Sequence, residues 1–205
     1  MLATIAGKDK LDAMAWKIMR LMAAAFLTLA GVHCALGTEW LVSNLNDSGA
    51  GSLRAAITSA TSGDTVSFAP RLKGTIALTT GELAIPASLA INGPGPKVIS
   101  ISGSGKSRIF DIGDGVAISG TVEISGLTLR DGLDESGSGG GAIYTAQDLA
   151  LTDCVVTGNH STGSGGGICN SSGTLALVSC DVAGNAAGGS GGGVYNFGEY
   201  GDAAL

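Results

Sequence analysis

The residues of this chain that could carry chemistry are few, and the clearest group lies in its second half. Asp131, Asp134 and Glu135 form a small acidic cluster at a glycine-rich corner. Carboxylate oxygens are the ligands that Ca²⁺ prefers. The three residues are therefore candidate Ca²⁺ ligands, and the alternative is a solvated turn. The sequence indicates no other metal and no other cofactor.

A catalytic set is not evident. His160 is the last of only two histidines, and no serine–aspartate arrangement around it suggests nucleophilic catalysis. Asp153 and Asp181 occupy different positions in the repeat described below, so they do not predict the facing carboxylates, about 5–10 Å apart, that glycosidases use. The sequence favours a protein without catalytic residues over an enzyme.

A short glycine-rich motif, Gly103-Ser104-Gly105-Lys106-Ser107, is similar to the end of a phosphate-binding loop. That loop requires a glycine where this chain has Ser100, and it must open a helix. The residues after Ser107 predict a strand instead, so we expect a β-turn with Lys106 on the surface.

Three cysteines lie in the second half of the chain: Cys154, Cys169 and Cys180. The positions of Cys154 and Cys180 differ by 180 − 154 = 26. Two interpretations stay open: a disulfide between stacked turns, or small apolar side chains in a buried ladder. The second is favoured, because disulfide geometry cannot be inferred from spacing.

The elements that position these residues repeat with the same period. The sequence GSGGG occurs at 137–141, 163–167 and 189–193, in steps of 26, and ends each time at Gly141, Gly167 or Gly193. Gly-Asn pairs recur likewise, and their Asn159 and Asn185 are expected to stack as a hydrogen-bonded corner ladder. A period of this length is typical of solenoid architectures.

Between the glycine corners, apolar and polar residues alternate, which indicates strands with one buried face. The pattern recurs at 122–129, 149–156 and 175–182, and it places Leu127, Cys154 and Cys180 in one buried ladder. We predict an all-β fold, a right-handed parallel β-helix over residues 75–205. The repeat is too short and too poor in aromatic residues (4%) for a propeller or sandwich.

Residues 38–74 are predicted to cap the amino-terminal end of the solenoid. Ser52 can cap a short helix in which Leu53, Arg54 and Ile57 follow, with the apolar residues on one face. No similar lid is evident at the other end, so the repeat region is expected to be incomplete there, and that end is expected to support self-association.

Residues 1–37 have the pattern of a secretory signal peptide. Lys17 and Arg20 precede an apolar run at 21–32, and Ala35-Leu36-Gly37 provides small residues at the cleavage positions. Cleavage is predicted after Gly37. The protein is therefore expected to be secreted or to lie at the cell surface or outer membrane.

The charge balance restricts the partners. Without the leader, 11 − 4 = 7 basic and 17 − 2 = 15 acidic residues give a net charge of −8. Residues 131–205 contain eight acids and no lysine or arginine. Nucleic acid is excluded as a partner of that half, because nothing in it can neutralise phosphate.

Two motifs resemble known families. Gly140–Ile143 with Val156–Asn159, and Gly166–Ile168 with Val182–Asn185, resemble the GGAI and FxxN pair of polymorphic outer membrane protein repeats. Gly51–Ile57 is similar to the SLREAI segment near the amino terminus of bacterial secreted β-helix proteins. The resemblance implies a right-handed parallel β-helix outside the cytoplasm, often within surface proteins and adhesins.

The sequence thus predicts an exported or cell-surface β-helix with a structural, adhesin-like or glycan-binding role. Its ligand is expected to be a polysaccharide or a host or cell-surface molecule, bound by the long face or by loops such as 132–139. The alternative is a polysaccharide lyase or glycoside hydrolase of the pectate-lyase-like β-helix class. Such lyases use an Arg or Lys base, and the last basic residue of this chain is Arg130.

Overall fold

The computed structural model describes residues 37–113 and 118–197. The expected signal peptide, apart from Gly37, lies outside the described residues, and its cleavage stays a prediction. None of the helices in the described ranges is long and apolar enough to cross a membrane.

Almost all regular structure in these ranges is β-strand, arranged in four parallel sheets. The first sheet has six strands: β1 (Glu39–Val42), β2 (Thr65–Phe68), β5 (Ala90–Asn92), β8 (Val122–Ser125), β12 (Leu149–Thr152) and β16 (Leu175–Val178). The second has five: β3 (Gly74–Ala77), β6 (Ile99–Ser102), β9 (Thr128–Arg130), β13 (Val155–Thr157) and β17 (Asp181–Ala183). The third also has five: β4 (Leu83–Ile85), β7 (Phe110–Ile112), β11 (Ile143–Thr145), β15 (Ile168–Asn170) and β19 (Val194–Asn196). A small sheet contains β10 (Leu133–Asp134), β14 (His160–Ser161) and β18 (Ala186–Ala187).

The chain visits the sheets in rotation, so each strand pairs with the strand one full turn later. Neighbours are therefore parallel and, apart from β1 and β2, non-consecutive, as for β8 and β12, where Val122 pairs with Leu149. One turn cannot bury its own apolar face, so the turns stack and like residues meet. The predicted all-β, parallel β-helix is confirmed. Strands β1 and β2, within the segment 38–74, extend the first sheet.

The core is built from the inward positions of the strands. In β8, Val122 and Ile124 are buried while Glu123 is exposed, which is the alternation of a half-buried strand. Leu127 and Cys154 are also buried. Cys180, predicted to be equally buried, is only half-buried, because it lies in the last turn that the structure describes and no described turn stacks over it.

Two corners have a left-handed backbone in three successive turns. Gly126, Asp153 and Ser179 occupy one corner in successive turns, with φ of 62°, 50° and 54°. Asp131, Gly158 and Gly184 occupy the other, with φ of 53°, 67° and 67°. L-residues adopt this conformation only at an energetic cost, whereas glycine does not. The repeated glycines therefore reflect the geometry of the corners.

The residue after the second corner forms an asparagine ladder. Asn159 donates from Nδ2 to Oδ1 of Asn185 at 2.9 Å, and its Oδ1 accepts the N–H of Gly132 at 2.8 Å. The same amide also donates to the carbonyl of Leu129 at 3.1 Å. Each side chain thus satisfies backbone groups of the neighbouring turn, which would otherwise be buried without partners.

The glycine runs recur every 26 residues in the sequence, but the structure does not pair successive turns at a constant step. Ile168 pairs with Val194, a step of 194 − 168 = 26 residues. Gly167 donates to the carbonyl of Gly193 at the same step. Ile143, however, pairs with Ile168, a step of only 168 − 143 = 25, so Gly141 donates to Gly165 and Gly166 and not to Gly167. The reason is a longer loop: eight residues separate β10 from β11 and six separate β14 from β15.

The helix α1 (Leu53–Ser59) lies at the amino-terminal end of the stack. The Ser52 side chain accepts a hydrogen bond from the N–H of Ala55, so Ser52 is the N-cap. Leu53, Ala56 and Ile57 are buried. Arg54 points away from this apolar face and donates to the backbone carbonyls of Gly81 and Glu82, which fixes the helix to the adjacent turn.

Candidate binding cleft around Arg108

An open polar cleft of about 480 Å³ lies where the third sheet meets the small sheet. The side chains that give the cleft its chemical character are those of Thr80, Glu82, Arg108, Asp134, Glu135 and Ser136. Glu82, Arg108 and Asp134 are spaced evenly in the sequence, since 108 − 82 = 26 and 134 − 108 = 26, although the strands next to them pair at other steps, as in Leu83 with Phe110. Glu82 precedes β4, Arg108 comes two residues before β7, and Asp134 ends β10. Stacking therefore places an acid, a base and an acid on consecutive turns.

Arg108 is the centre of this arrangement, and its side chain is only 7% exposed. Its guanidinium pairs with Glu82 at 3.1 Å, with Asp134 at 3.2 Å and with Asp111 at 3.5 Å. The ring of Tyr144 lies 5.2 Å from the guanidinium carbon, within cation–π range. Further bonds go to Ser138 Oγ (2.5 Å) and to the carbonyls of Gly139 and Gly140 (both 3.0 Å). A buried arginine needs such partners to offset its desolvation.

Asp134 organises the long loop that follows β10. Its carboxylate accepts hydrogen bonds from Ser136 Oγ at 2.5 Å, Gly139 N–H at 2.9 Å and Ser161 Oγ at 2.8 Å. Burial raises the pKa of Asp134, but these hydrogen bonds and the charge of Arg108 outweigh it, so the pKa lies below its ordinary value. Asp134 is therefore an ionised anchor of the loop 135–142.

The groups that face solvent in the cleft are hydroxyls and carboxylates. Thr80, Glu135 and Ser136 are exposed, and the Glu82 side chain is 39% exposed while one of its oxygens contacts Arg108. The hydroxyl protons of Thr80 and Ser136 are donated to Asp47 and Asp134, so these side chains offer mainly hydrogen-bond acceptors, on a frame whose backbone is held by sheet pairing. Such an arrangement can bind a polar ligand by multiple hydrogen bonds.

The structure does not bring the predicted Ca²⁺ ligands together. Asp134 is bonded to Arg108 and the loop, and Glu135 points to solvent. Asp131 occupies a left-handed corner, where it pairs with Arg130 and accepts a hydrogen bond from Ser102. In the described ranges, no three His, Cys, Asp or Glu side chains converge as metal ligands. The acidic cluster is close in sequence, but the corner turns its members to different surroundings.

The other singled-out residues lie apart from the cleft. His160 is exposed on β14. Gly103–Ser107 forms a turn in which Lys106 is exposed and donates its N–H to the carbonyl of Gly103. The three cysteines are free thiols, with Cys154 and Cys180 at one corner and Cys169 on β15.

Sequence reasoning missed Arg108 and Glu82. The signal that could have identified them is that Glu82, Arg108 and Asp134 follow one another at the step of the glycine runs. It was hidden because the turns that contain Glu82 and Arg108 lack the GSGGG motif from which the period was measured.

The comparisons with known proteins identify one repeat. A family model of the Chlamydia polymorphic membrane protein (Chlamydia_PMP) repeat matches residues 153–171. The matched segment begins at the left-handed corner of Asp153, contains β13 and β14, and ends just after β15. It therefore covers the Gly-Asn corner and the glycine run of one turn.

Searches of curated proteins and of solved structures gave no match. The repeat match and the stacked parallel sheets support one conclusion about the class of protein. The chain is a parallel β-helix repeat protein that carries a polymorphic membrane protein repeat.

Proposed function

We propose that this chain is an exported surface β-helix that binds carbohydrate through the cleft around Arg108. The repeat match to a polymorphic membrane protein and the signal-peptide pattern of residues 1–37 support a location at the cell surface or outer membrane. An adhesin-like or glycan-binding role is consistent with stacked turns whose loops present polar side chains.

The observation that carries the proposal is the fixed Glu82–Arg108–Asp134 ladder beneath an open polar rim. The ladder positions the backbone of the loop 135–142 before any ligand arrives. A preorganised site loses less conformational entropy on binding than a flexible one. The rim hydroxyls of Thr80 and Ser136 and the carboxylates of Glu82 and Glu135 match the hydroxyl-rich surface of a sugar.

The charge of the cleft narrows the ligand class. Glu82, Asp134 and Glu135 contribute three negative charges against the single positive charge of Arg108. A uronate polymer would meet net repulsion there, since like charges at close range oppose binding. The cleft thus favours neutral sugars or sugars that carry an amino group.

The alternative function, a lyase or hydrolase of the pectate-lyase-like class, has weaker support in this cleft. A lyase would need a free Arg or Lys base, and Arg108 is held by three carboxylates and three further hydrogen bonds. A hydrolase would need one carboxyl group as an acid. The hydrogen bonds to Asp134 and the charge of Arg108 outweigh burial and keep the pKa of Asp134 below its ordinary value, so this carboxyl group stays ionised.

The test is a glycan array probed with the full chain, with neutral, amino-bearing and uronate glycans side by side and sugar release assayed in parallel. Binding to neutral or amino-bearing glycans that Glu135→Gln or Ser136→Ala weakens would support the proposal. The matched control is Glu123→Gln, an exposed glutamate of β8 that lines two smaller clefts of about 230 and 270 Å³. Uronate-selective binding, loss of binding only in Glu123→Gln, or sugar release would contradict it.

A further inference from the structure

Cys154 and Cys180 occupy the same corner in two consecutive turns. The strands before them pair in register, with Thr152 opposite Val178. The strands after them do so too, with Val155 opposite Asp181. The two cysteines are therefore adjacent across the stack, although a full turn of the chain separates them in sequence.

Hydrogen bonds hold this corner at the ordinary spacing of paired strands. Asp153 donates its N–H to the carbonyl of Val178 at 3.0 Å, and Asp181 donates its N–H to the carbonyl of Cys154 at 2.9 Å. Paired strands lie about 4.8 Å apart, which falls inside the range of about 4.4–6.8 Å between the Cα atoms of disulfide-bonded cysteines. The Cys154 thiol donates weakly to the carbonyls of Thr152 and Ile124, and the Cys180 thiol donates to the carbonyl of Val178, so both thiols are directed at this corner.

The two thiols differ in reactivity. Cys154 is 1% exposed, whereas Cys180 is half-buried and reaches solvent. The neighbouring Cys154 thiol lowers the pKa of Cys180, whereas the neighbouring Cys180 and burial raise the pKa of Cys154. The accessible sulfur is thus also the better thiolate, and the thiolate is the reactive form of cysteine.

Cys169 has a different environment. Its side chain lies on β15 beside Gly139 and donates weakly to the carbonyl of Ser138 at 3.7 Å. Burial raises the pKa of its thiol. Cys169 is nearer to Cys180 in the sequence than Cys154 is. The fold nevertheless places Cys169 on β15 of the third sheet, away from the corner that holds Cys154 and Cys180.

We propose that Cys154 and Cys180 form a disulfide that locks two consecutive turns of the β-helix. The oxidant is a disulfide-containing molecule of an oxidising compartment, such as a thiol–disulfide oxidase or a small disulfide. This inference does not depend on the proposed binding cleft.

The exchange proceeds in two balanced steps when glutathione disulfide is the oxidant. The Cys180 thiolate attacks one sulfur of glutathione disulfide, whose S–S bond breaks, and the leaving glutathione thiolate takes up a proton. Cys154 then loses its proton, and its sulfur attacks Sγ of Cys180 and expels the second glutathione. Two protein thiols are oxidised, and one glutathione disulfide is reduced to two glutathione molecules.

The experiment uses the full chain and two matched double variants. Cys34→Ser with Cys169→Ala keeps Cys154 and Cys180, whereas Cys34→Ser with Cys154→Ala keeps Cys169 and Cys180. Each reduced protein is incubated with a glutathione redox buffer, quenched with acid, denatured and treated with N-ethylmaleimide, and its intact mass is measured. Circular dichroism before oxidation shows whether each variant keeps its β-structure.

The first variant is expected to form the disulfide, which removes two hydrogen atoms from its mass and leaves no thiol to react with maleimide. The second variant is expected to keep both thiols free or to carry glutathione. In a denatured chain the second variant should form its disulfide more readily than the first. The Cys169–Cys180 loop is less than half as long as the Cys154–Cys180 loop, so it closes about four-fold more readily. A first variant that remains fully alkylated, or that only acquires glutathione, would overturn the proposal. If either variant fails to fold, peptide mapping of the oxidised wild-type chain decides, and a Cys169–Cys180 link there would refute it.

Discussion

The carboxylate of Asp47 and the guanidinium of Arg54 are joined by hydrogen bonds of 2.6 and 3.2 Å. The second oxygen of Asp47 accepts four more, from the N–H and hydroxyl groups of Thr79 and Thr80, at 2.8 to 2.9 Å. Arg54 in turn donates to the carbonyl of Gly81 at 2.7 Å. One ion pair thus connects the turn before the cap helix, the helix itself and the adjacent turn of the solenoid.

Substituting Asp47→Asn should destabilise the protein by about 2 kcal/mol, because several donors lose a charged acceptor in a poorly solvated site. The measurement is the free energy of unfolding from urea titration followed by circular dichroism. Asp181→Asn, at an exposed aspartate of β17, is the control and should change it by about 0.5 kcal/mol or less. Equal effects of the two substitutions would contradict a special role for Asp47.

Asp64 makes the stability depend on pH. The N–H of Thr61, the indole N–H of Trp40 and the N–H of Thr38 donate to its carboxylate at 2.8, 3.0 and 2.6 Å, and these bonds lower its pKa to about 2. A carboxyl group whose pKa is lower in the folded state stabilises the fold above its unfolded pKa of about 4, and this contribution is lost as the pH falls through the folded value.

We therefore expect the urea midpoint to decrease between about pH 4 and pH 2. Asp64→Asn should be less stable at neutral pH and should show a shallower decrease across that window. The comparison needs urea titrations of both proteins at several pH values from 5 to 2. If the urea midpoint of the variant decreased with pH as steeply as that of the wild type, other carboxylates would account for the acid sensitivity.

The asparagine ladder should be sensitive to truncation. Asn159→Ala removes the acceptor of the Gly132 N–H and the donor to the Leu129 carbonyl, both in the buried corner. Leaving these backbone groups unpaired should cost about 2 to 3 kcal/mol of unfolding free energy. Asn92→Ala, at an exposed asparagine of β5, provides a control with nearly unchanged stability.

The left-handed corners predict opposite effects of two small substitutions. Ser179→Gly should stabilise the fold by about 1 kcal/mol, because a serine with φ of 54° is strained and a glycine is not. Gly184→Ala, with φ of 67°, should destabilise it by a similar amount. Thermal unfolding of both variants beside the wild type checks the pair, and a shift in the same direction for both would rule out backbone conformation as the cause.

Local patterns were enough to predict the repeating parts of the fold. The alternation at 149–156 and 175–182 corresponds to β12 with β13 and β16 with β17. The Gly158 and Gly184 corners, and a helix beginning after Ser52, also followed from short-range preferences. These features are predictable because strand alternation, left-handed corners and helix caps depend on residues only a few positions apart.

The candidate site depended on stacking, which local patterns do not reveal. Asp131, Asp134 and Glu135 are neighbours in sequence, yet the left-handed corner at Asp131 separates them, and Asp134 pairs instead with Arg108 of the preceding turn. The sequence by itself determined that the chain coils into stacked turns that repeat at a nearly regular step. Only the tertiary structure decided which side chains meet across those turns, because loops of unequal length, such as 135–142 and 162–167, change the register between one turn and the next.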